Sequence, residues 1–143
     1  MSIHQISVFL ENRAGQLAEI TKLLAQEHVD IRSISIAETA DYGLARMIVD
    51  DSQKASSVLL QHGTILSMTP VWAVEVPDSP GGLAHLLDVL AQYNVAVEYM
   101  YALVTHHAGS AYMILRISDE ETFLKALKNA QIRTVSSEEL GLR

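Results

Sequence analysis

Two short stretches carry the residues best suited to hold a small charged molecule: Glu11-Asn12-Arg13-Ala14-Gly15-Gln16-Leu17 and Pro77-Asp78-Ser79-Pro80-Gly81-Gly82-Leu83. Each sets polar residues and a glycine just ahead of a segment with helical apolar spacing. The first turn of a helix has N–H groups without intrahelical partners and a partial positive charge. A carboxylate can sit there. Gly15 and Gly81 let it approach the backbone, since no Cβ intervenes. Pro80 fixes the chain ahead of its glycine, which lowers the ordering cost of binding. Asp78 can accept a charge-assisted hydrogen bond from an ammonium group. Asn12 can do so more weakly and can also donate to a carboxylate. The same residue types serve as ordinary N-caps and turns, and Arg13 either meets a ligand carboxylate or is solvated.

Signs of catalysis are scarce. There is no Gly-x-Ser-x-Gly, P-loop or dinucleotide fingerprint. Glu120-Glu121 and Glu138-Glu139 are adjacent in sequence, so neither pair shares a helix face, and both read as solvated surface. His106-His107 falls in a predicted hairpin, where a loop can converge two rings on a metal. An incidental exposed pair is the more ordinary reading, so neither a metal nor a cofactor is expected.

The elements that must position these stretches are written twice. Sliding the chain by 66 residues lays 9–49 over 75–115 without a gap. Identities fall at Gly15/Gly81, Leu17/Leu83, Ala18/Ala84, Leu24/Leu90, Ala25/Ala91, Gln26/Gln92 and Val29/Val95. They continue at Thr39/Thr105, Gly43/Gly109, Ala45/Ala111, Met47/Met113 and Ile48/Ile114. His4, Ile6, Val8 and Leu10 alternate with Gln5, Ser7 and Phe9, and Trp72, Val74 and Val76 do the same with Ala73 and Glu75. Period two predicts strands with one face inward. Helices follow: Leu83, Leu86, Leu87 and Leu90 share one face, as do Leu17, Ile20, Thr21 and Leu24.

A strand pair comes next in each copy, Asp30–Thr39 with Leu44–Val49 and Ala96–Thr105 with Ala111–Ile117. Second helices are predicted near 52–62 and 119–129, with N-cap types at Asp51-Ser52 and Ser118-Asp119. Phe123, Ala126, Leu127 and Ala130 form the apolar stripe of the last helix. Final strands are expected near Thr64–Thr69 and Ile132–Ser136. Each copy is thus strand-helix-strand-strand-helix-strand. An α+β fold follows, with two ferredoxin-like βαββαβ units side by side and antiparallel sheets bearing helices on one face. The expected domains are 1–69 and 70–143, joined so directly at Met68-Thr69-Pro70-Val71 that no flexible linker separates them.

Composition narrows the function classes. The 143 residues are 49% apolar and 19% charged, enough to fill a core. A net charge of −7 repels polyanions, so nucleic acid and anionic membranes are not expected partners. The same strand order occurs in RNA-binding modules, but those need a basic surface. With no cysteine, disulfides and thiolate chemistry are excluded. No secretory signal or membrane span is visible, which points to the cytoplasm.

The two glycine stretches resemble the ACT-domain family, whose first strand leads through Asn or Asp to Pro-Gly-x-Leu at the start of the first helix. The resemblance covers nearly the whole chain as two consecutive copies. Ser35–Gly43 and Ala73–Asp78 further resemble the small stand-alone tandem ACT proteins. It implies a non-catalytic regulatory module that binds a small molecule, most often an amino acid, at interfaces between paired domains or subunits. It implies ligand-binding positions at Asn12, Arg13, Ala14, Gly15, Gln16 and Leu17, and at Asp78, Ser79, Pro80, Gly81, Gly82 and Leu83. The family proline is replaced by Ala14 in the first copy, so the second loop is expected to be the better-formed site. A homodimer and a partner enzyme regulated in trans are further implications. An oligomerisation scaffold without a ligand is the alternative, with a histidine-based metal sensor behind it.

Overall fold

The computed structural model describes residues 1–11, 13–38, 41–103 and 108–143. Asn12 and the His106-His107 pair lie outside the described residues, as do Thr39 and Thr105. The chain divides into two compact units, one of residues 4–69 with 141–143 and the other of residues 70–140 with 1–3. The division falls inside a single strand, between Thr69 and Pro70.

The unit containing 4–69 is built from β1 (Ile3–Glu11), α1 (Gln16–Gln26), β2 (Ile31–Glu38), β3 (Tyr42–Val49), α2 (Ser52–Gln61) and the first part of β4 (Leu66–Pro77). β3 pairs antiparallel with β1 on one side and β2 on the other, with Ile6 opposite Met47 and Met47 opposite Ile34. β4 lies next to β1, and the Phe9 N–H donates to the Ile65 carbonyl at 2.9 Å. Ile6, Val8, Ala45 and Met47 pack under Ile20 and Leu24 of α1 and Ala55 and Leu59 of α2.

The other unit repeats the plan with the rest of β4, α3 (Gly82–Gln92), β5 (Val97–Leu103), β6 (Ser110–Ile117), α4 (Glu120–Asn129) and β7 (Thr134–Val135). β6 lies between β4 and β5, and β7 flanks β4, all antiparallel. Trp72, Val74 and Leu115 meet Leu86 and Leu90 of α3 and Phe123 and Leu127 of α4. The expected α+β architecture of two βαββαβ units is thus realised.

Three expectations need correcting. β1 is not a one-faced strand: Gln5 and Ser7, on the face opposite Ile6 and Val8, are also buried, and Gln5 Nε2 donates to Ser7 Oγ at 3.1 Å. That bond offsets part of the cost of burying two polar side chains. Leu83 is not part of the buried face of α3; Val89 joins Leu86 and Leu90 there instead. The copies also do not superpose at a constant 66-residue offset. Val8 faces Ala45 while Val74 faces Met113, and Ile6 faces Met47 while Trp72 faces Leu115. Ala45 therefore corresponds to Met113, an offset of 68, and the second hairpin carries two more residues than the first.

The four helices of the described residues end alike. His28, Gly63, Asn94 and Gln131 have φ between 57° and 76°. The next residue in each case returns its N–H to a carbonyl of the last turn, Val29 to Leu24, Thr64 to Leu59, Val95 to Leu90 and Ile132 to Leu127. This closure satisfies carbonyls the helix leaves open. It also fixes the α2–β4 turn at 62–64, which borders the candidate site.

Candidate functional site

The two helix entrances have the same backbone. Gly15 has φ 87° and ψ −11°, and Gly81 has φ 92° and ψ −11°. Both sit at the N-cap in the left-handed region, where an L side chain is strained. Ala14 in place of the second copy's Pro80 leaves the backbone at the glycine unchanged.

Among the described residues no side chain caps α1 or α3. The second helix of each unit differs: Asp51 accepts from the Lys54 N–H and Asp119 from the Thr122 N–H, each at 3.1 Å. The Thr122 bonds hold the Asp119 carboxyl below its ordinary value. The chain therefore uses aspartate caps at two helix starts and leaves the two glycine entrances without one.

Around these entrances the copies diverge. In the first, the Glu11 N–H donates to Gln16 Oε1 at 2.5 Å, so a side chain ties the end of β1 to the start of α1. Arg13 spans Glu19 with two contacts, Nη1–Oε1 at 3.3 Å and Nη2–Oε2 at 3.1 Å, and its Nε lies 3.4 Å from Glu11. The hydrogen bond from Arg13, then its charge, lowers the Glu19 pKa, and Glu19 in turn raises that of Arg13. In the second copy Pro77 stands at the Glu11 position and has no N–H to satisfy. Gly82 stands at the Gln16 position, and a Cβ there would lie 2.1 Å from the Pro77 carbonyl oxygen. The Asp78 N–H donates to the Gly109 carbonyl at 2.9 Å, which ties the loop to the β5–β6 turn.

The first entrance borders a cleft, and the second copy has a counterpart that none of residues 78–83 lines. The first, of about 460 Å³, lies between α1 and the α2–β4 turn, with Arg13, Gln16 and Glu19 facing His62, Gly63 and Thr64. Its counterpart of about 380 Å³ has Pro77 and His85 facing Gln131 and Arg133. Of the sequence-predicted residues, Arg13 and Gln16 line the first cleft. Leu17 is half-buried and Leu83 is exposed on α3. Ser79, Pro80 and Gly81 are exposed in the second loop, where the Ser79 carbonyl accepts from the Gly82 N–H at 3.0 Å.

Two groupings escaped the reading of the sequence. Glu19, Lys22 and His62 complete the first cleft; the spacing of Arg13 and Glu19 around a helix start is the only local signal. The second is a cluster centred on Arg133. Its Nε and Nη2 reach Glu75 Oε2 at 2.9 and 2.6 Å, and its Nη1 pairs with Glu139. Ser110 Oγ donates to Glu75 Oε1 at 2.7 Å. The Ser110 bond, then Arg133, lowers the Glu75 pKa, and Arg133 lowers that of Glu139. Glu139, read as solvated surface, is exposed and in addition pairs with Arg133. Among the described residues no three His, Asp or Glu side chains come together as a metal site, and no helix is long and apolar enough to cross a membrane.

Two βαββαβ units, each opening its first helix on an uncapped left-handed glycine, define a tandem regulatory-domain architecture. The chain belongs to the ACT family: the family's ACT domain pair matches residues 1–141. It is similar to protein BT0572 from Bacteroides thetaiotaomicron, with 33% identity over 99% of this chain and 96% of that one and a TM-score of 0.90. It shares its fold with the ligand-free regulatory subunit of aspartate kinase from Thermus thermophilus, at 18% identity, 89% and 91% coverage and a TM-score of 0.65. The corresponding subunit from Thermus flavus gives 17% identity, 90% and 92% coverage and a TM-score of 0.62. No curated protein sequence matches the chain.

Proposed function

We propose that this chain is a non-catalytic regulatory protein that binds a small amino acid at its β1–α1 loops, residues 12–17 and 78–83. The observation that carries the reading is the contrast in helix starts. Asp51 and Asp119 cap α2 and α4, whereas α1 and α3 begin on Gly15 and Gly81 with no capping side chain among the described residues. Uncapped first-turn N–H groups behind a glycine are suited to a ligand carboxylate. The ACT domains proposed over 1–69 and 70–143 would each supply one entrance. Fold similarity to aspartate kinase regulatory subunits supports a role as an effector-responsive module, acting on a partner enzyme in the cytoplasm and assembling as a homodimer. A ligand shifts such an equilibrium only by its differential affinity for the two states.

The test is a thermal-shift panel of the twenty amino acids, paired with light scattering. Stabilisation by one amino acid, lost on substitution of a glycine entrance by valine, supports the reading. A firm dimer that responds to none of the twenty would mark an oligomerisation scaffold instead.

A further inference from the structure

We infer that the first copy alone binds the ligand, and that an aliphatic amino acid enters its cleft by inserting between Arg13 and Glu19. This rests on the amino-acid reading above and narrows it to one cleft and one side-chain class.

The charges decide the ligand class. Glu11 and Glu19 face Arg13 and Lys22 around the same cleft, two negative groups against two positive ones. Such a site has no net preference for an anion or a cation, but it complements a molecule that carries both. The Arg13–Glu19 contact is a fork of two parallel bonds, the geometry in which a guanidinium holds any carboxylate. The pair is exposed, with 48% and 61% of the two side chains accessible, so it is weak and readily exchanged. A zwitterion placed between them gives its carboxylate to Arg13 and its ammonium to Glu19. One ion pair becomes two, and no charge is left unmatched. His62 adds an acceptor: its Nδ1 lies 2.9 Å from the Val58 carbonyl and must be the protonated nitrogen, so Nε2 of the neutral ring accepts. Ile20 and Leu23 supply the apolar wall, which suits an aliphatic side chain.

The second copy has a guanidinium and a carboxylate at its cleft but does not repeat this arrangement. Ser79 and His85 stand where the first has Arg13 and Glu19. Gly82 is pressed on the Pro77 carbonyl where Gln16 arches over the cleft. The guanidinium that does line the second cleft, Arg133, is held more closely than Arg13: its Nε and Nη2 reach Glu75 at 2.9 and 2.6 Å, against 3.1–3.4 Å for the contacts of Arg13 with Glu19 and Glu11, and Glu75 is only 28% exposed.

Calorimetry on the full chain with L-leucine, 4-methylpentanoate and 3-methylbutylamine tests the inference. The expected result is one leucine per chain, with each one-ended analogue at least tenfold weaker. Arg13→Gln and Glu19→Gln should each weaken leucine at least tenfold, and His85→Gln should change it less than twofold. Both first-copy substitutions lie on the surface, so unchanged melting of the free protein shows that the fold survives. Two leucines per chain, wild-type affinity in both first-copy variants, or loss in Asp78→Ala alone would overturn the inference while leaving amino-acid binding intact. Binding only of polar or charged amino acids would overturn the aliphatic assignment. If none of the twenty stabilises the protein, the reading beneath falls and this inference with it.

Discussion

Gly82 presses its Cα against the Pro77 carbonyl, so that a Cβ added there would lie 2.1 Å from the oxygen. No rotamer relieves this contact, because it lies between the first side-chain atom and backbone. Gly82→Ala therefore requires the second loop to move away from the end of β4. The better helix propensity of alanine, about 1 kcal/mol, does not offset an overlap of this depth. The expected net loss is about 1–3 kcal/mol in a urea titration. Gln16→Ala at the matching position of the first copy removes only an exposed hydrogen bond to the Glu11 N–H, and its expected cost is below about 1 kcal/mol. Similar losses in the two variants would mean that the entrances are not built differently.

The Arg133 cluster gives a pH dependence with a fixed sign. Glu75 and Glu139 both have folded pKa values below the ordinary 4.5. Their stabilisation is therefore complete above that value and is lost as pH falls from about 4.5 through the lower folded values. Arg133→Gln removes the main cause at Glu139 and the second at Glu75, where Ser110 remains. Wild type should lose stability more steeply than the variant over that acid range, with parallel curves at neutral pH. Glu75 is about a quarter exposed, so Glu75→Gln should cost only about 1 kcal/mol at neutral pH after allowance for solvent screening.

The repeat made most of the fold legible, and the place where it misled has a simple origin. Residues before the hairpins, such as Gly15/Gly81 and Val29/Val95, are true counterparts. Beyond them Met47/Met113 and Ile48/Ile114 are identical but displaced by two residues, since Met47 corresponds to Leu115. A strand has period two, so a slip of two residues keeps every side chain on its own face and leaves the alternation intact. Glycine conformation exposes the slip: Gly109 has φ +81°, whereas Gly43 lies inside β3 without a positive φ.

The site was less legible than the fold. Arg13 and Gln16 were visible as loop residues, but His62, Gly63 and Thr64 reach the cleft only through the α2–β4 turn, some 50 residues away. Burial of Gln5 and Ser7 was likewise hidden, because polar residues alternating with Ile6 and Val8 are the ordinary mark of a solvated face.

The aspartate caps offer a prediction independent of any ligand. Asp51 Oδ1 accepts the Lys54 N–H at 3.1 Å. Asp51→Ala should lower stability by about 1 kcal/mol, the usual cost of losing such a cap. Asp119→Ala should act in the same direction on α4. Asp51→Asn, which keeps an acceptor oxygen, should recover most of the loss in the same denaturation series. Failure of the asparagine to recover it would assign the effect to charge at the helix terminus, not to the hydrogen bond.

Phe123 is fully buried and meets the Trp72 ring at a centroid distance of 5.9 Å and an interplanar angle of 46°. The chain has a single tryptophan, so its emission reports on the core of the unit that contains residues 70–140. Phe123→Ala removes the largest fully buried side chain and leaves a cavity under β4, at an expected cost of about 3–5 kcal/mol. That is a large share of the stability of a small unit. Leu124→Ala, one residue along α4 and 39% exposed, should change stability by less than about 1 kcal/mol. Urea unfolding followed by tryptophan emission separates the two. In Phe123→Ala the emission transition should move to lower urea, and far-ultraviolet circular dichroism should then show whether the residues 4–69 unit unfolds with it. A coincident shift of both signals would mean that the two units unfold as one cooperative body; a tryptophan transition that moves alone would show that each core stands by itself.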